Sequence, residues 1–157
     1  ISLDIYRFQA LIGEGKVVEE KIILVKPLCF VNEAGKSLYE VKQNYEVKNE
    51  DIIVISDDAD LERGRIRIAS KGGDGGHKGL RSIIQYLGTS NIPRIRIGIG
   101  RPEEKIDLRD YVLGDFTFEE RKIIKESIDR ATRAIKVIVL EGIEEAMREF
   151  NAFSGKL

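Results

Sequence analysis

The chain has 157 residues, 42% hydrophobic and 34% charged, which suits one compact domain spanning 1–157 and excludes a fibrous or disordered chain. Lys and Arg number 26 against 27 Asp and Glu, so a formal charge of −1 denies the chain the excess positive field of a non-specific nucleic-acid binder but leaves a local basic patch open. Cys29 is the one cysteine, which excludes an intramolecular disulfide and two-cysteine zinc sites; no apolar run nears the roughly 18 residues of a membrane span, and no secretory signal pattern is present. A soluble cytoplasmic protein is expected.

The first residues, Ile1-Ser2-Leu3-Asp4, already stand inside an apolar and polar pattern. Residues 5–12 alternate as a half-buried strand, Gly13-Glu14-Gly15-Lys16 supplies turn glycines, and Ile22-Ile23-Leu24-Val25 reads as the second strand of a hairpin. Pro27 stops that strand. Leu38, Val41 and Tyr45 then recur at helical spacing over 34–45. Residues 51–55 form an apolar run expected to be a strand buried on both faces, closed by Asp57, Asp58 and Asp60, and 65–69 alternate as another strand. Five glycines in 71–79 lead into Leu80, Ile83, Ile84 and Leu87, a strand, glycine loop and helix unit. Residues 94–100 place arginines on one face of a strand and isoleucines on the other. Thr117-Phe118-Glu119-Glu120 has capping-box spacing ahead of the stripe Ile124, Ile128, Ala131, Ile135 and Ile138, and a last helix carries Ile143, Met147 and Phe150. Strands alternating with helices predict an α/β fold, and the opening hairpin makes its sheet mixed.

Several patterns compete for chemistry. Ala34-Gly35-Lys36-Ser37 ends like a phosphate-binding loop, but Phe30 stands where that motif needs a glycine. Asp58, Asp60 and Glu62 begin like a calcium loop, yet Gly64 comes one place late and Ala69 replaces the closing glutamate. A magnesium site on Asp57, Asp58 and Asp60 stays open beside the plainer reading of a solvated turn. In α/β sheets ligands gather at the carboxyl ends of strands, where Asp57 falls, and a glycine loop offers amides to an anion or a carbonyl oxygen. His77 is the one histidine, as apt to be a surface hydrogen-bonder as a base; Asn32 has the ordinary reading of a helix cap. Arg65, Arg67, Lys71, Lys78, Arg81, Arg94 and Arg96 cluster in mid-chain, either as plain surface or as a phosphate-tracking face with wet guanidinium groups.

Four segments together carry a resemblance: Leu24-Val25-Lys26-Pro27-Leu28-Cys29-Phe30-Val31-Asn32, Ile55-Ser56-Asp57-Asp58-Ala59-Asp60-Leu61, the glycine loop 72–83, and Arg94-Ile95-Arg96-Ile97-Gly98-Ile99-Gly100-Arg101-Pro102. With Asp110-Tyr111-Val112-Leu113-Gly114-Asp115-Phe116 they are similar to the bacterial peptidyl-tRNA hydrolase family, in order and over almost the whole chain. The resemblance implies a monomeric α/β protein, one mixed sheet surrounded by helices, that cleaves the ester between a peptide and the terminal ribose of tRNA without metal or other cofactor. A histidine activates the attacking water in that family and an aspartate orients it, a role that maps to Asp57. Asn32 maps to the asparagine that holds the peptide backbone, His77 and Lys78 to the wall of the binding cleft, and Arg67, Lys71 and Arg96 toward tRNA phosphates.

Two departures stand out. Lys78 replaces a family asparagine and so exchanges a donor and acceptor for a cation with no acceptor, and Cys29 replaces a threonine. The family's opening segment, with a strand, a helix and the catalytic histidine, has no counterpart, so the chain is expected to be N-terminally incomplete and its hydrolysis very weak. The alternative implied by the same fold is a catalytically inactive RNA-binding relative.

Overall fold

The computed structural model describes residues 1–102 and 105–152, and by contact the chain divides into two compact units, 1–53 with 70–93 and 54–69 with 94–157. The first holds β1 (Ile5–Arg7), β2 (Ala10–Val17), β3 (Glu20–Pro27), α1 (Ala34–Asn44) and α2 (Lys78–Leu87). The second holds β4 (Val54–Asp58), β5 (Ile66–Ala69), β6 (Arg94–Gly98), α3 (Leu108–Leu113), α4 (Phe118–Glu141) and α5 (Ile143–Asn151). The α/β class and a mixed sheet are present as expected. Among the described residues the strands form two three-stranded ladders, β1-β2-β3 and β4-β6-β5, in place of the expected single sheet.

In the first unit the strand expected over 5–12 breaks at Phe8 and Gln9, whose φ angles of 55° and 54° make a two-residue turn of the twist that suits a hairpin. Gly13 and Gly15 are not turn glycines but lie inside β2, and the next turn falls at Val18 and Glu19. Their lack of a side chain serves packing, since a Cβ on Gly13 would sit 2.2 Å from the Ser2 carbonyl oxygen. Ala10, Ile12 and Val41 form the buried centre between hairpin and α1, with Ile23, Val25 and Tyr45 packed around it. Ser37 at the start of α1 donates to the Phe8 carbonyl at 2.6 Å and ties the helix to the first turn.

In the second unit β6 is central, parallel to β4 and antiparallel to β5. Helices α4 and α5 pack on β5 and β6, and Ile66, Ile68, Ile95, Ala131, Ala134, Ala146 and Phe150 are buried. The expectation of a strand buried on both faces fails at β4, where Ile55 is 49% exposed because this edge strand pairs with β6 alone. Thr117 forms the predicted capping box with Glu120, and Gly142, at φ 96°, separates α4 from α5. The six-residue α3 is too short to announce itself by periodicity. No helix of the described residues is long and apolar enough to cross a membrane.

Ile95, fully buried at the centre of this ladder, sets the expectation for stability. Ile95→Ala removes the side chain and leaves a cavity, so urea unfolding should show a loss of about 2–5 kcal/mol with little change in slope.

Candidate active site

The first unit brings Asn32, His77 and Lys78 into one neighbourhood. Asn32 sits in a short 3-10 turn, Val31–Glu33, that packs on α2. The approach is close: the Val31 side chain lies 3.0 Å from where a Cβ on Gly79 would stand. One turn further on, the buried Gly35 N–H donates to Ser82 Oγ at 3.0 Å, and a Cβ on Gly35 would strike the Ser82 carbonyl oxygen. Asn32 is exposed and is not the cap of α1, a position that falls to Glu33 with no side-chain hydrogen bond. Leu28, Phe30 and Val31 beside it are exposed, Phe30 by 80%.

His77 is the N-cap of α2. Its Nδ1 accepts from the N–H groups of Gly79 (3.1 Å) and Leu80 (3.2 Å), which orients the ring and requires Nδ1 to be unprotonated. Lys78 is the first helical residue and Lys71 precedes the glycine loop; both are exposed. The loop is held by Asp74, which sequence reasoning passed over. Its Oδ1 accepts from the Gly76 N–H at 2.7 Å and its Oδ2 from Arg81 Nε at 3.0 Å, while Gly75 and Gly76 take positive φ. The Arg81 guanidinium and the Gly76 amide hold the Asp74 carboxyl below the usual aspartate range, and Asp74 in turn raises Arg81.

In the second unit the three aspartates separate. Alternation along β4 sends Asp57 and Asp58 to opposite faces. Asp58 Oδ2 accepts from Arg96 Nη1 at 2.8 Å and its Oδ1 from the Asp60 N–H, while Asp60 pairs with Arg101. Among the described residues no three His, Cys, Asp or Glu side chains are placed to hold a metal ion. Asp57 lines a cavity of about 340 Å³ with Ile99, Tyr111, Asp115, Phe116 and Glu120. Tyr111 is fixed there: its hydroxyl accepts from Arg63 Nη2 (2.7 Å) and donates to the Ile99 carbonyl (2.8 Å). Arg63 also pairs with Glu120 at 2.8 Å, so the capping-box glutamate braces the cavity wall. Arg63 and Glu120 carried no signal in sequence beyond the cap spacing.

The expected cation face is only partly realised. Arg67 lies directly opposite Arg96 in the β5–β6 register and is exposed. Arg96 is partly exposed but not free: it is held by Asp58, and its Nε is buried without a partner among the described residues. The reason is register, since Arg96 stands opposite Ser56 and reaches diagonally to Asp58 on the same face of β4. Arg94 is 2% exposed, and burial pushes its pKa down.

Because the Asp74 carboxyl is depressed, its contribution to loop order is present above the ordinary aspartate pKa and is lost only as pH falls through the lowered value. An NMR titration of the Asp74 carboxyl should therefore give a midpoint below about 3.9, with the Gly76 amide shift following it. A midpoint at the ordinary value would show that the Arg81 contact does not hold in solution.

Comparison with known proteins accords with this arrangement. The family model described as peptidyl-tRNA hydrolase matches residues 1–156. A protein of Clostridium botulinum (strain Alaska E43 / Type E3) named peptidyl-tRNA hydrolase is 44% identical over 153 residues, covering 98% of this chain and 79% of that protein. A protein of the same name from Bacillus subtilis (strain 168) is 47% identical over 152 residues, covering 97% and 81%. The crystal structure of peptidyl-tRNA hydrolase from Acinetobacter baumannii superposes with a TM-score of 0.86 at 32% identity, over 93% of this chain and 74% of that one. With the matching motifs spread from Leu24 to Phe116 and the same fold beneath them, the chain belongs to the peptidyl-tRNA hydrolase family.

Proposed function

We propose that this protein hydrolyses the ester joining a peptide to the terminal ribose of tRNA, releasing the peptide and a reusable tRNA, with no metal or other cofactor. The observation that carries the reading is Asp57, at the carboxyl end of a parallel strand and on the wall of a cavity, in a chain of this family. A carboxylate so placed accepts the N–H of an imidazole, sets its orientation and stabilises the imidazolium formed when water is deprotonated. His77, the one histidine of the sequence, has its Nδ1 engaged by two backbone amides, so the imidazole that Asp57 would orient is not among these 157 residues.

Asn32, His77 and Lys78 bind the substrate. The exposed apolar residues beside Asn32 suit peptide side chains, and the asparagine amide offers both a donor and an acceptor to the peptide backbone. Arg67 and Lys71 meet tRNA phosphates. Arg96, neutralised by Asp58, acts mainly on the local field and on the strand beside it. The protein works in translation as a monomer of a single domain over 1–157, in the cytoplasm; the family match over 1–156 supports the single domain.

Cleavage of an N-blocked aminoacyl-tRNA tests this. With a family-like segment carrying the histidine placed ahead of Ile1, activity should rise, and Asp57→Asn should then lower kcat by roughly 10² to 10⁴ while tRNA affinity stays close to that of the parent, because an orienting carboxylate acts in the transition state. Unchanged turnover in a folded Asp57→Asn protein removes Asp57 from the mechanism. EDTA should leave the rate unchanged; a loss restored by Mg²⁺ would instead place a metal on the acidic cluster. A protein that binds tRNA but cleaves nothing would be the inactive RNA-binding relative.

A further inference from the structure

The four-residue strand β5 is an edge of the second ladder and carries Arg67. In an antiparallel pair, residues alternate between exchanging backbone hydrogen bonds with the partner strand and turning their N–H and C=O outward. The Gly98 N–H donates to the Arg65 carbonyl at 2.8 Å, so 65, 67 and 69 are the positions bonded to β6. Ile68 therefore turns its backbone groups to the open edge. There they meet one side chain: Asn151 Oδ1 accepts from the Ile68 N–H at 2.8 Å, and Asn151 Nδ2 donates to the Ile68 carbonyl at 2.9 Å. The amide of this last residue of α5 thus supplies the acceptor and donor that a neighbouring strand would offer. Ile68 is 1% exposed, which leaves little room for water to replace it.

A clamp is needed at this place for an electrostatic reason. Register sets the cations Arg67 and Arg96 directly opposite one another, an arrangement that opposes strand pairing, and Asp58 offsets only the charge of Arg96. We propose that Asn151 is a positioning residue for RNA binding, which by holding both backbone groups of Ile68 keeps β5 paired and Arg67 aimed at phosphate. This rests on the reading of Arg67 as phosphate-facing.

The experiment is a double-mutant cycle between Asn151→Asp and Arg67→Ala, read by the affinity of deacylated tRNA over a range of salt and pH. At neutral pH the new carboxylate still accepts from the Ile68 N–H but confronts the Ile68 carbonyl with lone pairs. Asn151→Asp should weaken tRNA binding and make the salt slope shallower by up to about one unit, as Arg67→Ala should. In the Arg67→Ala background it should add no further loss of affinity. Acidification to about pH 5 and below should progressively bring the affinity of Asn151→Asp back toward that of the parent, because a protonated carboxyl regains the donor. Parent-like binding by Asn151→Asp, or losses that simply add in the double variant, would overturn the proposal. If Arg67→Ala itself leaves tRNA binding untouched, the phosphate-facing reading has failed and the clamp falls with it. Should Asn151→Asp not fold, Asn151→Ser enters the same cycle with the same expectations.

Discussion

Strand β6 is bonded on both sides, and the geometry of the second unit follows from that constraint. With β4 parallel on one flank and β5 antiparallel on the other, every residue of β6 is fixed in register, and Ile95 at its middle is fully buried. The two-residue period then propagates outward. Ile95, Ile97, Ile66 and Ile68 share one face, and Arg96, Arg67, Ser56 and Asp58 share the other. Adjacent aspartates consequently have unrelated surroundings. Asp58 joins the arginines as counter-charge, while Asp57 is left at the strand end on the wall of a cavity whose other side chains are braced by Arg63, Tyr111 and Glu120.

The same period controls how much positive charge the ladder presents. Three arginines fall on one face, but burial removes Arg94 from solvent and Asp58 neutralises Arg96, so Arg67 is the open cation of the three. A guanidinium keeps its proton even when desolvated, so burying Arg94 does not discharge it; it adds a fixed positive field beneath the strand. Association with a polyanion would draw on that field as well as on direct contact.

In the first unit the glycine loop is ordered by contacts close in the chain. The glycine loop bends where Gly75 and Gly76 take positive φ, and Asp74 closes it by holding the Gly76 amide and Arg81 together. His77 caps α2 in place of the usual Ser, Thr, Asn or Asp, and Lys78 then stands at the positive end of the helix, where a cation is disfavoured.

By itself the sequence determined what depends on short-range pattern. The helical spacing of Ile124, Ile128, Ala131, Ile135 and Ile138 and the Thr117 to Glu120 box announced α4; the arginine and isoleucine alternation of 94–100 announced β6; and the ordered motifs from Leu24 to Phe116 announced the family. What only the tertiary structure decided depends on partners distant in the chain. The glycines of β2 looked like a turn because nothing local shows Ser2 lying over Gly13, and Asn32 looked like a cap because no local pattern announces the 3-10 turn Val31–Glu33 that encloses it and leaves Glu33 at the start of the helix. Arg96 looked unpaired because Asp58, 38 residues earlier, reaches it only through strand register, and Asn151 carried no signal because Ile68 lies 83 residues away. Periodicity tells which face a side chain occupies; which group waits on that face is set by long-range pairing that no local window contains.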